Sequence, residues 1–123
     1  KESFMENYFQ PNLTDDQLRA ISSIGLAHMG DAVFEVLVRT WLCAHGKATG
    51  RGLHQATIAL VRAESQAEKA ERILPLLTEE EAAVFRRGRN AHVKSVLEAL
   101  LGWLYLKGRR DRINALFRAM MEE

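Results

Sequence analysis

The sequence is poor in cysteine and proline and carries almost no net charge. Its 123 residues include one cysteine, Cys43, and two prolines, Pro11 and Pro75. The formal net charge is +1. A single cysteine allows no disulfide within the chain and no multi-thiolate metal site, so we expect a reducing, cytoplasmic location. The near-neutral charge excludes a globally basic, histone-like mode of nucleic-acid binding but leaves room for a local basic surface.

Long hydrophobic runs are also missing. No apolar stretch approaches the ~20 residues of a membrane-spanning helix, and the first residues lack the pattern of a signal peptide. With 47% hydrophobic and 27% charged residues, the composition is that of an ordinary soluble protein. A chain of this length can bury a sizeable core without disulfides or structural metal ions, so residues 1–123 are expected to form a single domain.

The hydrophobic period is helical almost throughout, and no segment alternates cleanly with a period of two residues. Capping boxes, in which a Thr and an acidic or amide side chain three residues later bond each other's backbone amides, begin at Thr14 and Thr78. Pro75 is expected to end one helix and Gly108 to separate the last two. The pattern predicts an all-α protein, a compact helical bundle with helices at roughly 15–22, 25–45, 53–74, 79–88, 95–107 and 109–121.

The second of these helices has a broad apolar face that marks it as a core helix. The residues on this face are Ala32, Val33, Val36, Leu37, Thr40 and Trp41. Cys43, near the end of the same helix, is predicted to be a small buried hydrophobe.

Two acidic residues, Asp31 and Glu98, stand in apolar helical segments far apart in the sequence. A carboxylate among apolar neighbours is costly to bury unless a partner or a metal ion satisfies it. If the two helices pack together, the two carboxylates could share a cation.

Spacing alone favours a structural alternative for these acids. Asp31 would be weakly stabilised by the amino-terminal end of its helix. Glu35, one turn further on, would pair with Arg39 four residues along. Glu98 would be a partly buried acid bonded to a nearby Arg or His.

Four motifs, in the order expected for a known family, favour the metal-site interpretation over the structural one. Residues 28–35 (HMGDAVFE) resemble the ribonuclease III signature, and residues 97–106 (LEALLGWLYL) resemble the second signature helix of that superfamily. Between them, residues 53–57 (LHQAT) and 85–91 (FRRGRNA) are similar to the short, stand-alone form called Mini-ribonuclease III, which lacks the double-stranded-RNA-binding domain. The resemblance covers about residues 11–118.

The resemblance implies a ribonuclease III endonuclease-domain fold that forms a homodimer. It implies cleavage of double-stranded RNA with Mg²⁺, for which Mn²⁺ can substitute, to give 5′-phosphate and 3′-hydroxyl ends. In bacteria this short form is implicated in maturing the ends of the large-subunit (23S) ribosomal RNA precursor, a role in which a ribosomal protein could present the substrate. By position, Asp31 and Glu98 match the family's catalytic, metal-binding carboxylates.

Two departures from the full-length enzymes concern acids. Those enzymes have a Glu four residues before the signature Asp and an Asp three residues before the second-helix Glu, where this chain has Ala27 and Ser95. The short form tolerates both replacements, which implies fewer protein ligands and more water or RNA oxygens on the metal. They also leave open a non-catalytic RNA- or ribosome-binding protein of the same fold.

A third departure is the short connection between the motif at 85–91 and the last signature helix. Family members usually have a longer, mobile connection there. Either the loop is shortened in this chain, or a segment is absent and the numbering runs across it. The second explanation is favoured, because such loops are often mobile.

Basic loops and helix ends are expected to bind the RNA, since A-form RNA is read largely through its backbone shape, 2′-hydroxyls and phosphates. The predicted contacts are Arg86, Arg87, Arg89, Asn90 and Lys94 around the end of one helix, and Lys47 and Arg51 in the glycine-rich loop. The alternative for Arg86 and Arg87 is that they only complement the negative end of their helix. The basic segment 107–112 is predicted to be a solvated turn.

Overall fold

The computed structural model describes residues 7–46, 50, 52–93 and 95–122, and within these ranges the regular secondary structure is helical and contains no strand. The all-α prediction is therefore confirmed. The helices are α1 (Asp15–Arg19), α2 (Ser23–Ala44), α3 (Gly52–Val61), α4 (Ala63–Ile73), α5 (Glu79–Asn90), α6 (Val96–Leu106) and α7 (Arg110–Met121), with a 3₁₀ turn at Leu74–Leu76. Among the described residues, no helix combines the length and apolarity needed to cross a membrane.

Local signals placed most helix ends correctly. Thr14 Oγ1 accepts a hydrogen bond from Gln17 N at 3.1 Å, and Gln17 Oε1 accepts one from Thr14 N at 2.8 Å. Thr78 and Glu81 form the same reciprocal pair at 3.2 and 2.9 Å. Gly108 follows α6 with a φ of 84°, a left-handed conformation that favours glycine.

The predicted helix 53–74 is wrong, because it is two helices, α3 and α4, separated at Arg62. Arg62 has extended backbone angles (φ −69°, ψ 163°) and is the N-cap of α4. Neither glycine nor proline marks the break. Instead, the side chain of Gln66 donates a hydrogen bond from Nε2 to the carbonyl oxygen of Val61 at 2.7 Å, which satisfies a carbonyl at the end of α3.

The core is built around α6, whose side chains are buried on nearly every side. Its buried residues are Leu97, Ala99, Leu100, Leu101, Gly102, Trp103 and Leu104. Because α6 is covered all round, its neighbours surround it and each contributes one apolar stripe.

The stripe that α2 contributes to the core is only partly the predicted one. The buried residues of α2 are Leu26, Gly30, Phe34, Val38 and Leu42. On the predicted face, Val33, Leu37 and Trp41 are half-buried and pack against the core, whereas Ala32, Val36 and Thr40 are exposed. Cys43 is exposed as well, contrary to prediction. The helix has two apolar stripes, and its hydrophobic pattern alone does not say which one meets the core.

The basic segment 107–112 also differs from the prediction, because three of its four cations, Lys107, Arg109 and Arg112, form ion pairs between helices. Lys107 Nζ lies 2.6 Å from Asp15 Oδ1, and this hydrogen bond holds the pKa of Asp15 below its usual value. Arg109 pairs with Glu80 at 3.0 Å. These contacts join the ends of α6 and α7 to α1 and α5.

A buried ion pair joins α5 to α7. Glu81 is 1% exposed, and its two carboxylate oxygens accept hydrogen bonds from Arg112 at 2.8 and 2.9 Å. Burial raises the pKa of Glu81, but hydrogen bonds from Arg112 and Thr78 lower it by more, so this pKa lies below its usual value. A charged carboxylate is tolerated at this depth because its oxygens are hydrogen-bonded.

We expect Arg112→Met to lower the free energy of unfolding by about 3 kcal/mol at pH 7, because it leaves a buried carboxylate without its cation. Since Arg112 lowers the pKa of Glu81, the pair stabilises the protein above the unfolded-state pKa of ~4.3 and loses that effect as the pH falls through the folded-state pKa. The difference in the free energy of unfolding between variant and parent should therefore persist from pH 7 to about pH 5 and narrow as the pH falls from about 4.3 to about 3. Urea denaturation at pH 7 and at about pH 3 measures it.

Arg118→Met is the matched control, since Arg118 is an exposed arginine of the same helix. Its effect should stay within about 0.5 kcal/mol at both pH values. A loss in Arg112→Met that does not change with pH would show that the packing of this side chain, and not its charge, stabilises the fold.

Candidate metal centre

Two glycines let α2 and α6 touch through their backbones. A Cβ atom built on Gly30 would lie 1.6 Å from the carbonyl oxygen of Glu98, and one on Gly102 would lie 2.0 Å from the carbonyl oxygen of Leu26. No larger residue fits at either position without moving a helix. The contact places Asp31, the neighbour of Gly30, beside the first turn of α6.

Asp31 and Glu98 line the same cavity, which has a volume of about 430 Å³. The structure therefore brings together the two acids that the sequence singled out. The other lining residues are Val61 at the end of α3, Ala63, Gln66, Ala67 and Ala70 on α4, and Ser95, Val96 and Leu97 at the start of α6. The alanines of α4 keep their wall of the cavity low and apolar, which leaves space for a ligand.

The two carboxylates differ in exposure, and the expectation that both are buried is wrong for Asp31. Asp31 is exposed because the core stripe of α2 passes through Gly30, one position away. Among the described residues, none forms a hydrogen bond or ion pair with the Asp31 carboxylate. Glu98 is half-buried, and its Oε2 accepts a hydrogen bond from Gln66 at 2.9 Å.

Glu35 does not belong to this cavity. Its carboxylate pairs with Arg39, with Oε2 and Nη2 2.5 Å apart, which confirms the predicted structural pair. The acid of α2 that lines the cavity is Asp31, one turn before Glu35.

Gln66 is the site residue that the sequence analysis missed. Besides its bonds to Val61 and Glu98, its Oε1 accepts a hydrogen bond from Ser95 Oγ at 2.5 Å. Ser95 Oγ in turn accepts one from Glu98 N at 3.1 Å, as the N-cap of α6. Ser95 and Glu98 have the spacing of a capping box, but no sequence signal indicates that a glutamine 32 residues before Glu98 bonds its carboxylate.

The donor set suits a small divalent cation that keeps much of its hydration shell. Mg²⁺ prefers oxygen ligands and is commonly held in proteins by one or two carboxylates, with waters and phosphate oxygens completing an octahedron. Asp31 and Glu98 provide two carboxylates, and the part of the chain that the structure describes contains no cluster of three or more acidic, histidine or cysteine residues. Ala27 packs against the core and adds no ligand.

The predicted RNA-binding residues that belong to α5 lie on different sides of that helix. Arg89 and Glu71 line a second cavity that shares Ala67, Ala70 and Val96 with the first, so the two cavities are neighbours. Arg87 lines a separate cavity together with Trp103, Asp15 and Glu80. Arg86 and Asn90 are exposed. Lys47, Arg51 and Lys94 lie outside the described residues.

The connection from α5 to α6 is tight at both ends. After α5, His92 N donates to Arg89 O at 3.0 Å and Val93 N donates to Gly88 O at 3.1 Å, the hydrogen-bond pattern that commonly ends a helix. His92 has a φ of 58°, the left-handed conformation usually taken by glycine at this position. Ser95 then begins α6, so the connection between the two helices is residues 91–95.

Known proteins resemble this chain along most of its length. Residues 25–109 match the family model described as the ribonuclease III domain. A protein of Thermoanaerobacter sp. (strain X514) named Mini-ribonuclease 3 is 34% identical, with 97% of this chain and 92% of the relative aligned. Proteins of the same name from Staphylococcus aureus and Gloeobacter violaceus are 34% and 40% identical, with 89% and 81% of this chain and 94% and 82% of the relatives aligned.

The alignment with the Thermoanaerobacter protein runs over 133 positions, and this chain has 123 residues. The alignment therefore contains positions at which that relative has a residue and this chain has a gap.

We expect Gly102→Ala to lower the free energy of unfolding by about 3 kcal/mol or more, because a methyl group would overlap the backbone of α2. The matched control is Gly52→Ala, where nothing lies within 4 Å of the added Cβ. That variant should be neutral or stabilised by up to about 1 kcal/mol. Thermal and urea denaturation compare the two, and a Gly102→Ala protein as stable as the parent would contradict the backbone contact.

Proposed function

The chain belongs to the Mini-ribonuclease 3 family of ribonuclease III domains, and on this basis we propose that it is a metal-dependent endoribonuclease that cuts double-stranded RNA. The observation that carries the proposal is the cavity in which Asp31 of α2 and Glu98 of α6 meet. The products would be 5′-phosphate and 3′-hydroxyl ends.

In this proposal Asp31 and Glu98 hold Mg²⁺, or Mn²⁺ in its place. The bound ion would supply Lewis-acid chemistry, by polarising the scissile phosphate and lowering the pKa of the attacking water. The exposed carboxylate of Asp31 is accessible to a phosphate that arrives from solvent, whereas the half-buried carboxylate of Glu98 is held by Gln66. The low alanine wall of α4 leaves space beside both groups.

The basic residues of the 85–91 motif would contact the RNA backbone. Arg89 supports this role best, because its cavity shares three lining residues with the one that holds the two carboxylates. Arg86, Arg87 and Asn90 would contact phosphates or 2′-hydroxyls further along the duplex, and the proposed surface also includes Lys47, Arg51 and Lys94. Phosphate contacts of this kind position an RNA without reading its sequence.

The natural substrate proposed here is the precursor of the large-subunit (23S) ribosomal RNA in the cytoplasm, where an accessory ribosomal protein could present it. This role comes with the family assignment. The geometry of the cavity supports the chemistry of cleavage.

We further propose that two copies pair through the outer face of α2. Val36 on this helix is 63% exposed, and Phe9, which lines the same cavity as Val36, is 85% exposed. An apolar cavity of about 320 Å³ on this face is lined by Phe9, Met29, Ala32, Val33, Val36, Leu37, Tyr105, Arg110, Ile113 and Asn114. Contiguous exposed apolar surface of this kind is typical of a protein interface.

We expect the parent protein to cleave double-stranded RNA in Mg²⁺ and to lose that activity in EDTA. Asp31→Asn and Glu98→Gln should each lower the cleavage rate about 100-fold or more, since metal catalysis contributes several kcal/mol to the transition state. Asp111→Asn, which changes an exposed acid outside the cavity, is the control and should cleave as the parent does. Denaturing gel electrophoresis of an end-labelled duplex measures the rates.

A different result would select the alternative function. If the parent protein binds the duplex but leaves it intact in both Mg²⁺ and Mn²⁺, the chain is a non-catalytic RNA- or ribosome-binding member of the fold. Ala27 and Ser95, which replace acids of the full-length enzymes, are the residues that favour this alternative.

We expect Val36→Glu to convert a dimer into a monomer, because it would place a charge inside a desolvated apolar interface. The control is Ile58→Glu, an equally apolar, exposed position on α3 outside the proposed interface, which should leave the dimer intact. Sedimentation equilibrium measures both masses against the 13.9 kDa of one chain. A parent protein that sediments as a monomer at tens of micromolar would contradict the proposed pairing.

A further inference from the structure

Gln66 is nearly buried, at 9% exposure, and its amide group is held in one orientation. The carbonyl oxygen of Val61 can only accept a hydrogen bond, so the amide atom 2.7 Å from it must be Nε2. The same nitrogen donates to Glu98 Oε2 at 2.9 Å. The other amide atom, Oε1, is therefore directed at Ser95 and accepts from its hydroxyl.

The hydrogen bonds around Gln66 form a closed ring. Gln66 Nε2 donates to Glu98 Oε2, Glu98 N donates to Ser95 Oγ, and Ser95 Oγ donates to Gln66 Oε1. Each member is held by the other two, so the position of the Glu98 carboxylate depends on both partners. The ring connects the break between α3 and α4 to the first turn of α6.

From this ring we infer that Gln66, together with Ser95, is a positioning residue for the metal site. The inference rests on the proposed function, because it assumes that Glu98 binds the cation. Gln66 would hold the Glu98 carboxylate in the orientation that a cation shared with Asp31 requires. A neutral amide–hydroxyl pair then stands at the position where the full-length enzymes have a further acid.

The chemistry of the ring also indicates why an acid would not fit in place of Ser95 here. An aspartate at that position would direct carboxylate oxygens at Gln66 Oε1, and two acceptors would face each other with no proton between them. Gln66 and Ser95 therefore form a matched pair, in which changing one requires changing the other. Residues around metal ligands commonly change metal affinity 10–100-fold through such contacts.

The test uses the intact protein and Mn²⁺ as the probe, with free Mn²⁺ followed by electron paramagnetic resonance. We expect Gln66→Met, which keeps the shape of the side chain but cannot hydrogen-bond, to weaken Mn²⁺ binding about 10-fold. Gln66→Glu should weaken it further, because its oxygen would face both Glu98 Oε2 and Val61 O. Gln55→Met, at an exposed glutamine of α3, is the control and should bind as the parent does.

A second readout separates positioning from a general loss of structure. In RNA cleavage, Gln66→Met should need about 10-fold more Mg²⁺ for half-maximal rate while the KM for the duplex stays within about twofold. Ser95→Ala should show the same shift, and Ser95→Thr, which keeps the hydroxyl, should not. If Gln66→Met does not fold, the two Ser95 variants decide the question through the same Mg²⁺ requirement.

Two outcomes overturn the inference, and they are distinguishable. If the parent binds Mn²⁺ and cleaves RNA, while the Gln66 and Ser95 variants keep their metal affinity within twofold, the ring has no positioning role and the proposed function stands. If the parent neither binds Mn²⁺ nor cleaves RNA, the proposed function fails and the inference fails with it.

Discussion

The direct backbone contact between α2 and α6 is the constraint on which the rest of the structure depends. Gly30 and Gly102 remove the two side chains that would otherwise separate the helices. Their close approach buries α6 and leaves Asp31 at the side of the contact, beside Glu98. The cavity thus results from tight helix packing: Gly30 permits the contact between the helices, and Asp31, the next residue, lines the cavity.

What could be predicted from the sequence was local or carried by motifs. Thr14 and Thr78 begin helices through hydrogen bonds to residues three positions further along, so the spacing of the residue types was sufficient to predict both helix starts. The break at Arg62 was not predictable, because it depends on Gln66, whose other bonds reach Ser95 and Glu98, 29 and 32 residues away. The burial of α2 was mispredicted for a similar reason: two apolar stripes compete, and only the position of α6 chooses between them.

The distribution of cations shows how little net charge says about a nucleic-acid surface. Three cations, Lys107, Arg109 and Arg112, form ion pairs with acids of neighbouring helices and so connect those helices. Arg89, by contrast, lines a cavity that neighbours the carboxylate cavity and shares three lining residues with it. A sequence count cannot separate these two groups, because they have the same residue types at similar density and differ only in which helices lie opposite them.

The connection at residues 91–95 has a consequence for how this fold varies. α5 is ended by hydrogen bonds from His92 and Val93 to its own last turn, and α6 is begun by the hydroxyl of Ser95, so residues of the connection cap both helices. Residues added between Val93 and Ser95 would leave both caps in place, and a longer loop costs little additional closure entropy. The fold therefore accepts an insertion at this point while the packing of α2 against α6 stays unchanged.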